Sequence, residues 1–131
     1  MSETTSYDEN LLVKELINNF VAKGLDITHA NYGGYPKPEE MKNHRPDIVG
    51  WDYEKQLCYV GTSTADVEKL LHVKTGERFF ELSNLVMSKG ESEGKLCPFY
   101  IAVPKKHQAI LEQKLVDLGI SKRKNVQILG V

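Results

Sequence analysis

The chain has 131 residues, 40% of them apolar and 27% charged, with 17 Lys+Arg against 18 Asp+Glu. That length holds one domain and excludes two of ordinary size, and the composition supplies a globular core. The even charge balance argues against a dedicated, strongly basic nucleic-acid binder but leaves room for a local basic patch. No apolar run approaches the ~18 residues of a membrane-spanning helix.

Residues 1–8 read as a polar, acidic, flexible tail ahead of a single domain over 9–131, without the apolar stretch of a secretory leader. Asp8 is placed to cap a helix over 9–23, in which Leu11, Leu12, Leu16, Ile17, Phe20 and Val21 fall at helical spacing, and Gly24 stops it. Leu25–Ala30 alternates as a half-buried strand. Residues 31–46, with two glycines, three prolines and mixed charge, form a loop. Two strands follow, Asp47–Asp52 and Leu57–Thr62, joined by a turn over 53–56. Their middles are apolar on both faces, which suits a covered, central hairpin. Helical material runs over 65–73 and 77–88, with a break at Thr75–Gly76. A loop at 88–95, a strand at Phe99–Val103 closed by Pro104, a helix over 105–118 stopped by Gly119, and a strand over 126–131 complete the chain. Helices between the later strands imply parallel pairing there. The predicted fold is α/β, a mixed central sheet flanked by helices in the order α-β-β-β-α-β-α-β.

Cys58 and Cys97 lie in no CxxC or Cys/His spacing, so no zinc site is predicted. Both flank apolar runs and read as buried free thiols, which suits a reducing cytoplasm. The four histidines form no ligand spacing, and no phosphate-binding glycine loop or catalytic-triad signature is present.

Arg45-Pro46-Asp47-Ile48-Val49, the apolar Tyr59-Val60-Gly61 one hairpin later, and the element order resemble the core of the PD-(D/E)XK nuclease superfamily over about residues 9–104. That group includes restriction endonucleases and Holliday-junction resolvases. The resemblance implies a restriction-endonuclease-like fold with Asp47 as a catalytic metal ligand and Glu15, on the first helix, as a second ligand. Phosphodiester cleavage needs a cation to polarise phosphate and acidify water, and Mg²⁺ takes hard carboxylate oxygens. A lysine then orients the water and offsets developing charge. Here the acidic position falls on Thr62 and the lysine position on Thr64, with Ser63 between. Neither hydroxyl replaces the charge it displaces, so Mg²⁺ binding is expected to be weak or absent.

In some relatives the missing side chains come from the next helix, where Asp66, Glu68 and Lys69 are the candidates. GTST also has a plain local account. It ends a strand and opens a helix, and Ser63 with Asp66 resembles a capping box. Glu15 reads equally as a solvated helix residue. Lys42 and Arg45 approach Asp47, and Lys105 and Lys106 open a stretch to Lys124 with six Lys/Arg against two Asp/Glu. These are candidate contacts to DNA or RNA phosphates, or a solvated face. Tyr32 and Tyr35 are placed to stack on a base. Three readings follow. One is a nucleic-acid-associated nuclease-fold domain, degenerate in its cleavage residues. Another is a protein–protein scaffold that self-associates as a homodimer. The third is an active Mg²⁺-dependent endonuclease using Asp47, Glu68 and Lys69.

Overall fold

The structure, a computed structural model, describes residues 8–131. The tail expected over 1–8 lies outside them except for Asp8. Asp8 caps α1 (Glu9–Ala22) as predicted, its carboxylate accepting the Leu11 amide at 2.8 Å. One stripe of α1 buries Leu12, Val13, Leu16, Ile17 and Phe20. Leu11 and Val21, expected inward, point off that stripe and are exposed, while Val13 joins it. Lys23 ends the helix and Gly24 follows at φ +83°, the left-handed conformation that glycine adopts without a side-chain clash.

Five strands form one sheet in chain order: β1 (Asp26–Ala30), β2 (Ile48–Asp52), β3 (Leu57–Ser63), β4 (Phe99–Val103) and β5 (Val126–Gly130). β1–β2 and β2–β3 are antiparallel, and β3–β4 and β4–β5 are parallel. This is the mixed α/β sheet expected from a hairpin followed by helix-linked strands.

Strand alternation sends neighbouring residues to opposite layers. Ile48 and Tyr59 pack with Leu12, Leu16 and Phe20 of α1 on one face. Val49, Val60, Phe99 and Ile101 pack on the other. There they meet Leu70 of α2 (Val67–Leu71), Phe79 and Leu82 of α3 (Val73–Leu82), and Leu111 and Leu115 of α4 (Gln108–Asp117). At Gly61 the α1 layer closes on the backbone. A Cβ there would sit 2.7 Å from Ile48 Cγ2 and 3.4 Å from Leu16 Cδ2.

The helical middle differs from expectation in three ways. α2 is short, and the break falls at His72, not at Thr75–Gly76. His72 is extended (φ −71°, ψ 143°), and its Nδ1 accepts the Lys74 amide at 3.1 Å, which caps α3. Gly76 lies inside α3, where a Cβ would come within 3.3 Å of Leu118 Cδ2, so its smallness serves helix packing. Second, α3 stops at Leu82 instead of reaching Ser88. The Ser83 hydroxyl and the Asn84 amide both donate to the Phe80 carbonyl, at 2.7 and 3.0 Å, in competition with the helical ladder. Third, Ser63 forms no capping box. Asp66 itself caps α2, accepting the Glu68 amide at 2.9 Å. The last helix is also divided: a 3-10 turn (Lys105–His107) precedes α4, and Val116, expected inward, is exposed.

Gly61→Val should overpack the α1–sheet contact, because the nearest atom belongs to the stiff, β-branched Ile48. A loss of about 1–3 kcal/mol is expected, read as a lower urea midpoint at unchanged slope.

Candidate functional site

Asp47 sits at the entrance to β2. Its amide donates to the Gly61 carbonyl at 2.8 Å, and its carbonyl accepts the Asn31 amide at 2.7 Å. The Ile48–Gly61 register sets Asp47 across from Thr62, as the hairpin predicts. Its Oδ2 accepts the Thr62 hydroxyl at 3.1 Å, the Ser63 amide at 2.8 Å and the Ser63 hydroxyl at 3.1 Å. Arg78 of α3 completes the set, with Nη2 3.4 Å from the same oxygen. The other oxygen, Oδ1, accepts from the Asn31 side chain at 3.4 Å.

Burial explains why this cluster forms. Thr62 and Ser63 are 0% and 2% exposed, so their hydroxyls need partners inside the protein. The Asp47 carboxylate is the acceptor for both. Thr62 and Ser63, at the positions where the resemblance expects an acid and a spacer, therefore hold Asp47 in place. The Asp47 and Arg78 side chains are 13% and 27% exposed, so the pair is shielded from bulk water. Arg78 also donates to the Arg45 carbonyl at 2.5 Å, which ties the loop before β2 to α3. Its Nε is buried without a hydrogen-bond partner. Sequence reasoning missed Arg78. It stands alone in a helical stretch, in no motif, and its carboxylate lies 31 residues away.

Two clefts flank the Asp47–Arg78 pair, and Arg78 lines both. One, of about 500 Å³, is lined by Ser63, Thr64, Glu68, Lys69 and His72, with Glu9 and Asp66 also on its wall. The other, of about 420 Å³, is lined by Asn31, Lys37, His44, Arg45 and Asp47. The predicted residues divide accordingly. Asp47 and Arg45 share the second cleft. Thr64, Glu68 and Lys69 share the first, where Lys69 Nζ lies 3.6 Å from Glu9 Oε1 in an exposed ion pair. Thr62 lies beneath, bonded to Asp47.

The remaining candidates line neither cleft. Glu15 belongs to α1 and receives the Asn18 amide at 3.5 Å. Asp47 has the strand parity of Val49, which faces the α3 layer, and its guanidinium partner comes from that layer, not from α1. The α1 acid that reaches a cleft is Glu9, at the helix start. Lys42 lies in the turn linking Met41 and His44, at φ 51°, and its Nζ donates to the Asn84 carbonyl at 3.3 Å. Lys105 and Lys106 are exposed in the 3-10 turn after β4.

These residues do not fit the Mg²⁺ site that the resemblance implies. Mg²⁺ demands near-octahedral oxygen ligation. Among the described residues no three His, Cys, Asp or Glu side chains converge. Asp47 Oδ2 already takes three hydrogen bonds and a guanidinium. What the arrangement offers chemically is a fixed carboxylate–guanidinium pair between two polar clefts. No protein-family model, curated protein or solved structure matches the chain.

Asp47→Ala strips the acceptor from two buried hydroxyls, one amide and Arg78. It should lower the unfolding free energy by about 1–3 kcal/mol in urea titrations. The Asp47→Ala/Arg78→Ala double variant should lose less than the sum of the singles, because the two share one network.

Proposed function

We propose that this chain is a nucleic-acid-associated domain of the PD-(D/E)XK type whose cleavage residues are degenerate. The observation that carries the proposal is the cleft beside Asp47. Lys37, Arg45 and Arg78, with His44, surround one carboxylate that is itself held by Arg78, Thr62 and Ser63. A cationic cleft of this kind suits a phosphate backbone. A shallow neighbouring cleft shares Asn31 and Lys37 with it and adds Tyr32 and Tyr35, aromatic surfaces on which an unpaired base can stack. The family reading is supported by the three-stranded antiparallel β1–β2–β3 unit with β4 parallel to β3, and by Pro46-Asp47 at the mouth of the hairpin. The degenerate reading is supported by the hydrogen bonds that occupy Asp47.

Glu68 and Lys69 favour a second reading, an active Mg²⁺-dependent endonuclease with relocated residues, because they border a cleft beside Ser63 and Thr64. Against it, Asp47 lies in the other cleft across Arg78, and Lys69 is turned toward Glu9.

Binding to labelled duplex, junction and single-stranded oligonucleotides should be measurable at low salt and weaken steeply as salt rises. Lys37→Ala and Arg45→Ala should each reduce the slope of log K against log salt by about 1. The oligonucleotides should stay intact with Mg²⁺ or Mn²⁺. Cleavage abolished by Asp47→Ala would instead establish the second reading. No binding to any of them at low salt, together with a stable dimer covering the Asp47 region, would replace both with a protein-interaction scaffold.

A further inference from the structure

At the opposite end of β3 the two cysteines come together. The parallel register pairs Val60 with Phe99, and the Val60 amide donates to the Pro98 carbonyl at 3.0 Å. Two residues back along each segment lie Cys58, packed on the Val60 and Phe99 side of the sheet, and Cys97, just before β4 with its amide donating to the Leu85 carbonyl at 2.9 Å. Adjacent strands lie about 4.8 Å apart. That spacing falls inside the Cα separation of about 4.4–6.8 Å that a disulfide spans.

Both thiols are free. Each touches the other: a hydrogen bond from Cys97 holds the Cys58 thiol below its usual pKa, against the opposing effect of burial. The same contact, reinforced by burial, pushes the Cys97 thiol up. The two cysteines are also unequal in access: Cys58 is half-buried, its thiol 3.9 Å from the Tyr59 carbonyl, whereas Cys97 is buried. Both line a single cleft of about 520 Å³ with Met41, Trp51, Leu85 and Met87. Structural cysteines are inert because they are sealed in a core; here Cys97 is buried, but the half-buried Cys58 beside it is reachable from the cleft.

We propose that Cys58 and Cys97 form a reactive dithiol that accepts small organic disulfides through this cleft and closes to an intramolecular disulfide. In the first step the Cys58 thiolate attacks one sulfur of the disulfide RSSR. A Cys58–S–S–R bond forms, the R–S–S–R bond breaks, and RS⁻ leaves. The Cys97 thiol gives its proton to that RS⁻, forming RSH. The Cys97 thiolate then attacks Cys58 Sγ, forming the Cys58–Cys97 bond and expelling the second RS⁻, which takes up the proton first lost by Cys58. Two protein thiols are oxidised and one RSSR is reduced to two RSH.

The test treats the folded full chain with oxidised glutathione. Intact mass should fall by two hydrogens with no glutathione retained, and both thiols of the chain should disappear from thiol titration. The fluorescence of Trp51, the one tryptophan in the chain, should change as the bond forms beside it, and dithiothreitol should reverse every signal. Cys97→Ser should halt at one glutathione adduct on Cys58. Cys58→Ser should react at least about tenfold more slowly, because the remaining thiol, Cys97, is the buried one. Two adducts per wild-type chain would overturn the proposal, as would thiols that react in urea but not in the folded protein. The mass measurement on wild-type protein decides this even where a variant fails to fold.

Discussion

The Asp47 carboxylate is the constraint on which the polar end of the sheet depends. A shielded carboxylate loses hydration, and that cost is offset only when donors are held in place around it. Here they come from distant parts of the chain: Thr62 and Ser63 at the end of β3, Arg78 on α3, and Asn31 after β1. The donors from β3 and α3 need the carboxylate in return, since the β3 hydroxyls are buried and the Arg78 side chain is 27% exposed. A cation on Oδ2 would have to displace these donors, leaving two buried hydroxyls without their acceptor. At that oxygen the network favours itself over metal ligation.

Arg78 also sets the charge layout. It reaches the sheet from the α3 side, between the two clefts, and contributes to both walls. On one side it joins Lys37 and Arg45. On the other it meets a mixed wall on which Lys69 is already paired with Glu9. The surface around Asp47 is consequently more basic than the nearly neutral whole chain, an asymmetry that net charge alone conceals.

What could be read from the sequence was what repeats locally. The α1 stripe, the hairpin and its Asp47–Thr62 opposition follow from 3.6- and 2-residue periodicity and from turn length. What could not be read was decided by partners far along the chain or by single side chains. His72 breaks the α2–α3 stretch through its own ring, and Ser83 and Asn84 end α3 through the Phe80 carbonyl, while the nearby glycine that looked like the breaker packs against Leu118. Periodicity placed Glu15 on a helix but not within reach of Asp47, and it lines neither cleft beside that carboxylate. Arg78 became visible only once α3 was docked. The cysteine pair became visible only once β3 and β4 were known to run parallel, across a connection of two helices and a long loop.

The loop 31–46 shows how far the influence of the Asp47 carboxylate extends. Loops carry recognition chemistry when a rigid scaffold fixes their ends. One end is held at Asn31, whose amide donates to the Asp47 carbonyl, and at Ala30, whose amide donates to Pro36. The other is held at Arg45, whose carbonyl receives Arg78, and at Asp47 itself, whose amide joins Gly61. Joining the ends of a flexible segment costs entropy that must be met by contacts at its base. Most of those contacts run through Asp47, which is anchored to the buried central strand β3, and through Arg78, which is paired with it. Lys37, His44 and Arg45 are thereby projected from a fixed base, and the position of the basic cleft depends on the same carboxylate that the β3 hydroxyls require.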